Sequence, residues 1–144
     1  MSWLDELLLQ TSESETPVSF IKWAGLSAIA AVAKNNVYLD KFYYKLYPNI
    51  YVMFHAESGL KKGPPVNMAK QLVKYVGNTT VISGRASIQG ILKKLGTAET
   101  RPGQKLDLSS STAFICSSEL SAAIVDDPVA TKILTDLYDR QIES

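Results

Sequence analysis

Residues 50–65 read Ile50-Tyr-Val-Met-Phe-His-Ala-Glu-Ser-Gly-Leu-Lys-Lys-Gly-Pro-Pro65. The turn Tyr47-Pro48-Asn49 comes first, and the run Ile50 to Phe54 is then apolar without interruption. A short apolar run bounded by turn residues predicts a strand buried on both faces of a parallel sheet. Ala56 to Gly63 is a loop of small and basic residues. Pro64 or Pro65 can open a helix, and Val66, Met68, Ala69, Leu72, Val73 and Val76 continue it at helical spacing until Gly77-Asn78. Buried strand, eight-residue loop and helix start are the setting a phosphate-binding loop needs.

The P-loop pattern is G-x-x-x-x-G-K-[ST]. Aligned on it, Ala56 takes the first Gly, Lys61 the second, Lys62 the invariant Lys and Gly63 the Ser/Thr. Only the Lys matches strictly; Ser58-Gly59 matches the S-G common inside such loops. A loop of this kind turns backbone N–H groups toward phosphate oxygens at the positive end of a helix. Gly59 supplies backbone freedom, and Lys62 can reach the β/γ phosphates as a mobile charge. Lys61 brings strain if its position needs φ > 0. Gly63 has no hydroxyl for Mg²⁺, and Pro64 and Pro65 remove two N–H donors. An ordinary Gly/Lys turn is the alternative.

Upstream, Ser2 to Gln10 has apolar residues at helical spacing with Ser2 as N-cap. Thr16-Pro17 predicts a helix start with Thr16 as N-cap, and the helix is apolar almost all round to Ala33. Val37–Asp40 and Phe42–Leu46 are aromatic and strand-like, with a turn between them. Tyr43, Tyr44 and Tyr47 lie beside Lys41 and Lys45; packing at a core or edge is the first reading, stacking on bases the second. Downstream, Thr79–Ile82 predicts a strand, Ala86–Leu95 a helix closed by Gly96, and Thr97–Ser111 a polar loop. Ala113–Cys116 predicts a third buried strand, and a last helix covers about 127–142. This order predicts an α/β fold with a parallel sheet and right-handed crossovers. Residues 1–46 are expected as an N-terminal helical segment with short strands, and 47–144 as the α/β core.

The 144 residues amount to one domain, with a net charge of +1. That balance excludes a uniformly basic nucleic-acid coat and an acidic disordered tail. One Cys and one His exclude a disulfide framework and a multi-Cys or His-rich metal site. The charge is uneven, however: net −2 over 1–59, +8 over 60–105 and −5 over 106–144. A basic middle suits a phosphate-bearing partner, or else forms a solvated helix face. The N-terminus has no basic segment of a signal peptide, and the stretch Pro17–Ala33 is too short for a bilayer, where about 20 apolar residues are needed. No membrane contact and a reducing compartment are expected.

Four stretches in order carry a resemblance: Ser19-Phe-Ile-Lys-Trp-Ala-Gly-Leu-Ser-Ala-Ile-Ala-Ala-Val, Val37-Tyr-Leu-Asp, Leu46-Tyr-Pro-Asn-Ile-Tyr-Val and Ser58-Gly-Leu-Lys-Lys-Gly-Pro-Pro. They resemble the front half of the RecA-like P-loop ATPases of phages and plasmids, which work with primases and helicases in mobile-element DNA replication. That family has a W-A-x-L-S helix, a Y-P-N-x-Y-V strand and a G-P-S-G-x-x-K-G/T loop; here Ala56-Glu57 replaces Gly-Pro. The resemblance covers residues 16 to about 138. It implies a three-layer P-loop NTPase fold, truncated or minimal, and ATP with Mg²⁺ as ligands. It further implies DNA as a possible substrate, a homo-oligomer or larger replication complex, and the cytoplasm of a bacterial host.

The resemblance assigns Glu57, Ser58, Gly59, Leu60, Lys61, Lys62 and Gly63 to the phosphates, and Glu119, directly after the third strand, to the Walker B position. There a carboxylate holds the Mg²⁺ shell or polarises the attacking water. The usual Asp-Glu pair is reduced to Ser118-Glu119, and Glu119 as the opener of the next helix is the alternative. Arg85, after the second strand, could contact a phosphate, DNA or a neighbouring subunit's nucleotide. Asp126-Asp127 reads as a helix-start signal, His55 as a strand-end residue and Cys116 as a small hydrophobe. Three functions remain open: a nucleotide-binding replication ATPase, a non-hydrolysing assembly protein on the same scaffold, and a DNA-binding module using the basic middle.

Overall fold

The chain opens on a reciprocal cap. In the computed structural model, Ser2 takes an extended backbone, its Oγ accepts from Asp5 N at 3.2 Å, and Asp5 Oδ2 accepts from Ser2 N at 2.8 Å. Two otherwise orphaned donors are satisfied, and helix α1 runs Trp3–Gln10. The structure describes residues 1–84, 87–97, 112–117 and 128–139. Its chain divides into two units, Met1–Thr79 and Thr80–Ser144.

In the first unit α2 spans Val18–Ala33. It begins one residue later than Thr16-Pro17 predicts. Pro17 itself is the N-cap, with no side-chain cap bond. Thr16 is buried instead, its N–H donating to Ser14 Oγ at 3.2 Å. Gly25 faces α1: a Cβ there would lie 2.7 Å from Leu7 Cδ2 and 3.2 Å from Leu4 Cδ1. The missing side chain is what lets the two helices approach. Helix α3, Gly63–Val76, packs on α2 with Pro65, Ala69 and Val73 buried at intervals of four. That spacing is one helical ridge, and its small residues suit the Ala24–Ala28 side of α2. Gly77 ends α3 with φ +79, the left-handed conformation glycine reaches without steric cost. Thr79 Oγ1 then donates to Ala31 O at 3.1 Å.

Between α2 and α3 lies an antiparallel hairpin, β1 (Leu39–Asp40) and β2 (Lys45–Leu46). The next segment departs from expectation. Residues 50–54 form no strand; Tyr51 is 59% and Met53 72% exposed. A continuous apolar run reports a preference for burial, yet a strand also needs a neighbour for its backbone groups. Here Ile50 to Met53 stay exposed, and Phe54 is half-buried against α2. Phe54 stacks on Phe20 with ring centroids 4.7 Å apart. Residues 51–54 and the Ser19–Trp23 side of α2 line a shallow groove of about 370 Å³.

In the second unit β3 (Thr80–Ser83) pairs in parallel with β4 (Ala113–Cys116), in the register Thr80 to Ala113 through Ser83 to Cys116. β4 has the predicted bounds, and β3 lies one residue later than the predicted Thr79–Ile82. Helix α4, Ile88–Thr97, starts beside Ser87, whose Oγ accepts from Gly90 N at 3.2 Å. It runs through Gly96 rather than stopping there. Helix α5 spans Pro128–Asp139. Ile82, Ile91 and Leu95 form the core of this unit, with Ile88, Ala113 and Leu137 packed on it. The two sheets make the described fold mixed α/β. Among the described residues no helix is long and apolar enough to cross a membrane.

Candidate functional site

The stretch Ala56–Gly63 joins the extended segment to α3 and lies wholly in the first unit. Leu60 N donates to Glu57 O at 3.4 Å, closing a tight turn, and Gly59 within it has φ +101. A side chain is rarely tolerated at that angle, so glycine is needed here for backbone geometry, although a Cβ would meet nothing within 4 Å. Lys61 does not have a positive φ. The strain expected from a lysine at the second glycine position is therefore missing.

The two lysines do different work. Lys61 Nζ pairs with the carboxylate of Glu15, in the connector between α1 and α2. The hydrogen bond and the charge of Lys61 hold the Glu15 carboxyl below its usual pKa of 4.5. Lys62 Nζ instead folds back over the loop and donates to Ala56 O at 2.8 Å. In the P-loop alignment these are the seventh and the first positions. The ammonium thus closes the loop into a ring and stands at its opening.

Donor supply is mixed. The N–H groups of Ser58, Gly59, Lys61 and Gly63 bond to no other group among the described residues. Such free donors are what an anion-binding turn offers. At the helix start, Lys62 is an N-cap without a side-chain bond, and Pro64 and Pro65 in the first turn bring no N–H. The macrodipole remains, but with both prolines in the first turn Gly63 is the one helical residue there that still offers an N–H. Gly63 is open: nothing lies within 4 Å of a Cβ placed there.

The other expected site residues are not brought to this loop by any described contact. Glu119 and Arg85 lie outside the described residues, as do Asp126-Asp127 and most of the Thr97–Ser111 loop. His55 is exposed, and Cys116 is buried at the end of β4. Among the described residues no group of three or more His, Cys, Asp or Glu stands together as a metal site. Sequence reasoning misses two participants, Glu15 and the Ala56 carbonyl. The only signal for Glu15 is an acid in a polar connector, 46 residues from its lysine. Comparison of the chain with protein families, with curated proteins and with solved structures gave no match.

Proposed function

We propose that this chain is a nucleotide-binding domain of a phage- or plasmid-type DNA replication ATPase, with ATP and Mg²⁺ as its ligands. The observation that carries the reading is Lys62 closing the Ala56–Gly63 loop at 2.8 Å, above a turn that needs Gly59. Lys62 would pass its ammonium from the Ala56 carbonyl to the β/γ phosphates. The backbone from Glu57 to Gly63 would hold the phosphate oxygens. Glu119 would serve the metal or the water, and Arg85 would offer a cation to a phosphate or DNA. An arginine finger would come from an adjacent subunit.

A second reading keeps binding without hydrolysis, on the same scaffold. Gly63, Pro64 and Pro65 favour it: the hydroxyl that would hold Mg²⁺ is missing, and the first turn of α3 is short of donors. Calorimetry with Mg²⁺–ATP, wild type against Lys62→Ala, tests both. Micromolar binding that disappears in the variant supports a nucleotide site. Phosphate release at that site then selects hydrolysis, and its absence selects the second reading. No binding by wild type refutes both, and a salt-dependent DNA shift that survives Lys62→Ala would favour a module that uses its basic middle directly.

A further inference from the structure

The hairpin before the loop has an unusual tip. Tyr43 N donates to Lys41 O at 2.8 Å across Phe42, whose φ is +70. A three-residue turn with that angle at its centre is the rare, strained form. Asp40 Oδ1 accepts from Phe42 N at 3.0 Å, and Lys41 N donates to Tyr44 O at 2.9 Å, so the turn is fastened on both sides. Glycine or asparagine would take this conformation at lower cost. Phenylalanine sits there with 88% of its surface exposed, and Tyr43 beside it with 89%. Neither ring helps the fold through burial. Of the packing expected for Tyr43, Tyr44 and Tyr47, Tyr47 shows it, tilted against Tyr38 with ring centroids 5.8 Å apart, while Tyr43 and Tyr44 stay exposed.

We propose that this hairpin tip is a stacking platform for single-stranded nucleic acid. The rings of Phe42 and Tyr43 stand edge to face, 4.9 Å apart, with Tyr44 exposed next to them. Aromatic faces accept unpaired bases whatever their identity, and lysines alongside take the backbone phosphates. Lys41 adjoins the tip. The Lys45 ammonium on β2 lies 4.4 Å from the centre of the Tyr38 ring. The single carboxylate of the hairpin, Asp40, opposes Lys45 in register and has one oxygen bonded into the turn. A net positive, ring-bearing, pre-fastened tip fits a polyanion with unpaired bases better than it fits an apolar protein surface. The site shares no residue with the nucleotide loop.

The test uses the full chain without nucleotide and a fluorescein-labelled 20-residue oligothymidylate, read by anisotropy. Phe42→Gly and Tyr43→Ala should each weaken binding by about 5- to 160-fold, the range for one stacked base. Tyr43→Phe should retain it. Lys41→Ala and Lys45→Ala should each lower the salt slope by about 0.7. Phe42→Gly carries the decisive sign: it relieves the turn, so its urea midpoint should equal or exceed that of wild type while binding falls. No binding by wild type at about 100 μM, the weak end of non-specific association, overturns the proposal. So does binding that survives both ring variants. Rings needed only for self-association in sedimentation, or only for vesicles of phosphatidylserine and phosphatidylcholine, would overturn it equally.

Discussion

Replacing Gly25 by Val should undock α1 from α2. The Cβ alone would come within 2.7 Å of Leu7 Cδ2, 3.2 Å of Leu4 Cδ1 and 3.5 Å of Trp3 Cζ3. In Gly25→Ala the flexible end of Leu7 can turn aside, and losing a mid-helix glycine returns about 1 kcal/mol, so the net change should lie near zero. In Gly25→Val two further methyl groups enter the same space. Overpacking costs about 1–3 kcal/mol, and the helix-propensity gain is smaller, about 0.4 kcal/mol. The net loss for α1 docking is then about 2 kcal/mol. An eight-residue helix has little stability of its own, so α1 should fray rather than shift. Amide exchange reads this directly: protection of residues 6–11 falls roughly 30-fold, while α3 keeps its own. The ion pair of Glu15 with Lys61 should loosen with the connector, seen as a rise of the Glu15 carboxyl pKa toward its usual value. Unchanged protection of Leu7 in Gly25→Val would refute the close approach of the two helices.

Val73 is fully buried in α3, and Val73→Ala should cost about 2–3 kcal/mol, checked by urea unfolding. Gly59→Ala should weaken nucleotide binding measured by calorimetry and lower stability by about 1 kcal/mol, because φ +101 disfavours any side chain. The carboxyls of Asp5 and Glu15 are both held low, Asp5 by its bonds with Ser2 and Glu15 by Lys61. A depressed native pKa means that their contribution is complete above the ordinary carboxylate range and is lost as pH falls through the native values. Carboxyl NMR titration should place both midpoints below their ordinary values of 3.8 and 4.5, and Lys61→Ala should return only that of Glu15.

Where a local rule governs, the sequence is readable. The Ser2 cap and the glycine stop at Gly77 depend on neighbours within a few residues, and both are present; β3 and β4 are legible too because each apolar run finds the other as its partner. The start of α2 differs by one residue because Thr16 has a second option: its buried place beside Ser14. Residues 50–54 read as a strand because hydrophobicity reports a demand for burial and is silent on what supplies it. Here that demand is met in part: Phe54 stacks on Phe20, and Ile50 to Met53 stay exposed. Of the loop, Lys62 and Gly59 are legible as lysine and glycine in a known spacing. The partners of the two lysines are not, since an ion pair with Glu15 and a carbonyl six residues back leave no mark in composition.

If the loop takes phosphates as proposed, the bond from Lys62 to the Ala56 carbonyl would make it selective by charge density. An ammonium already bonded to a neutral oxygen loses something when it leaves. A diffuse or singly charged anion returns little more than the carbonyl gave, and a neutral ligand returns less. A closely spaced set of phosphate charges outweighs the carbonyl because full opposite charges attract the ammonium more strongly than a carbonyl dipole does. Weak anions abundant in the surroundings would then leave the ring closed, and only polyphosphates would open it.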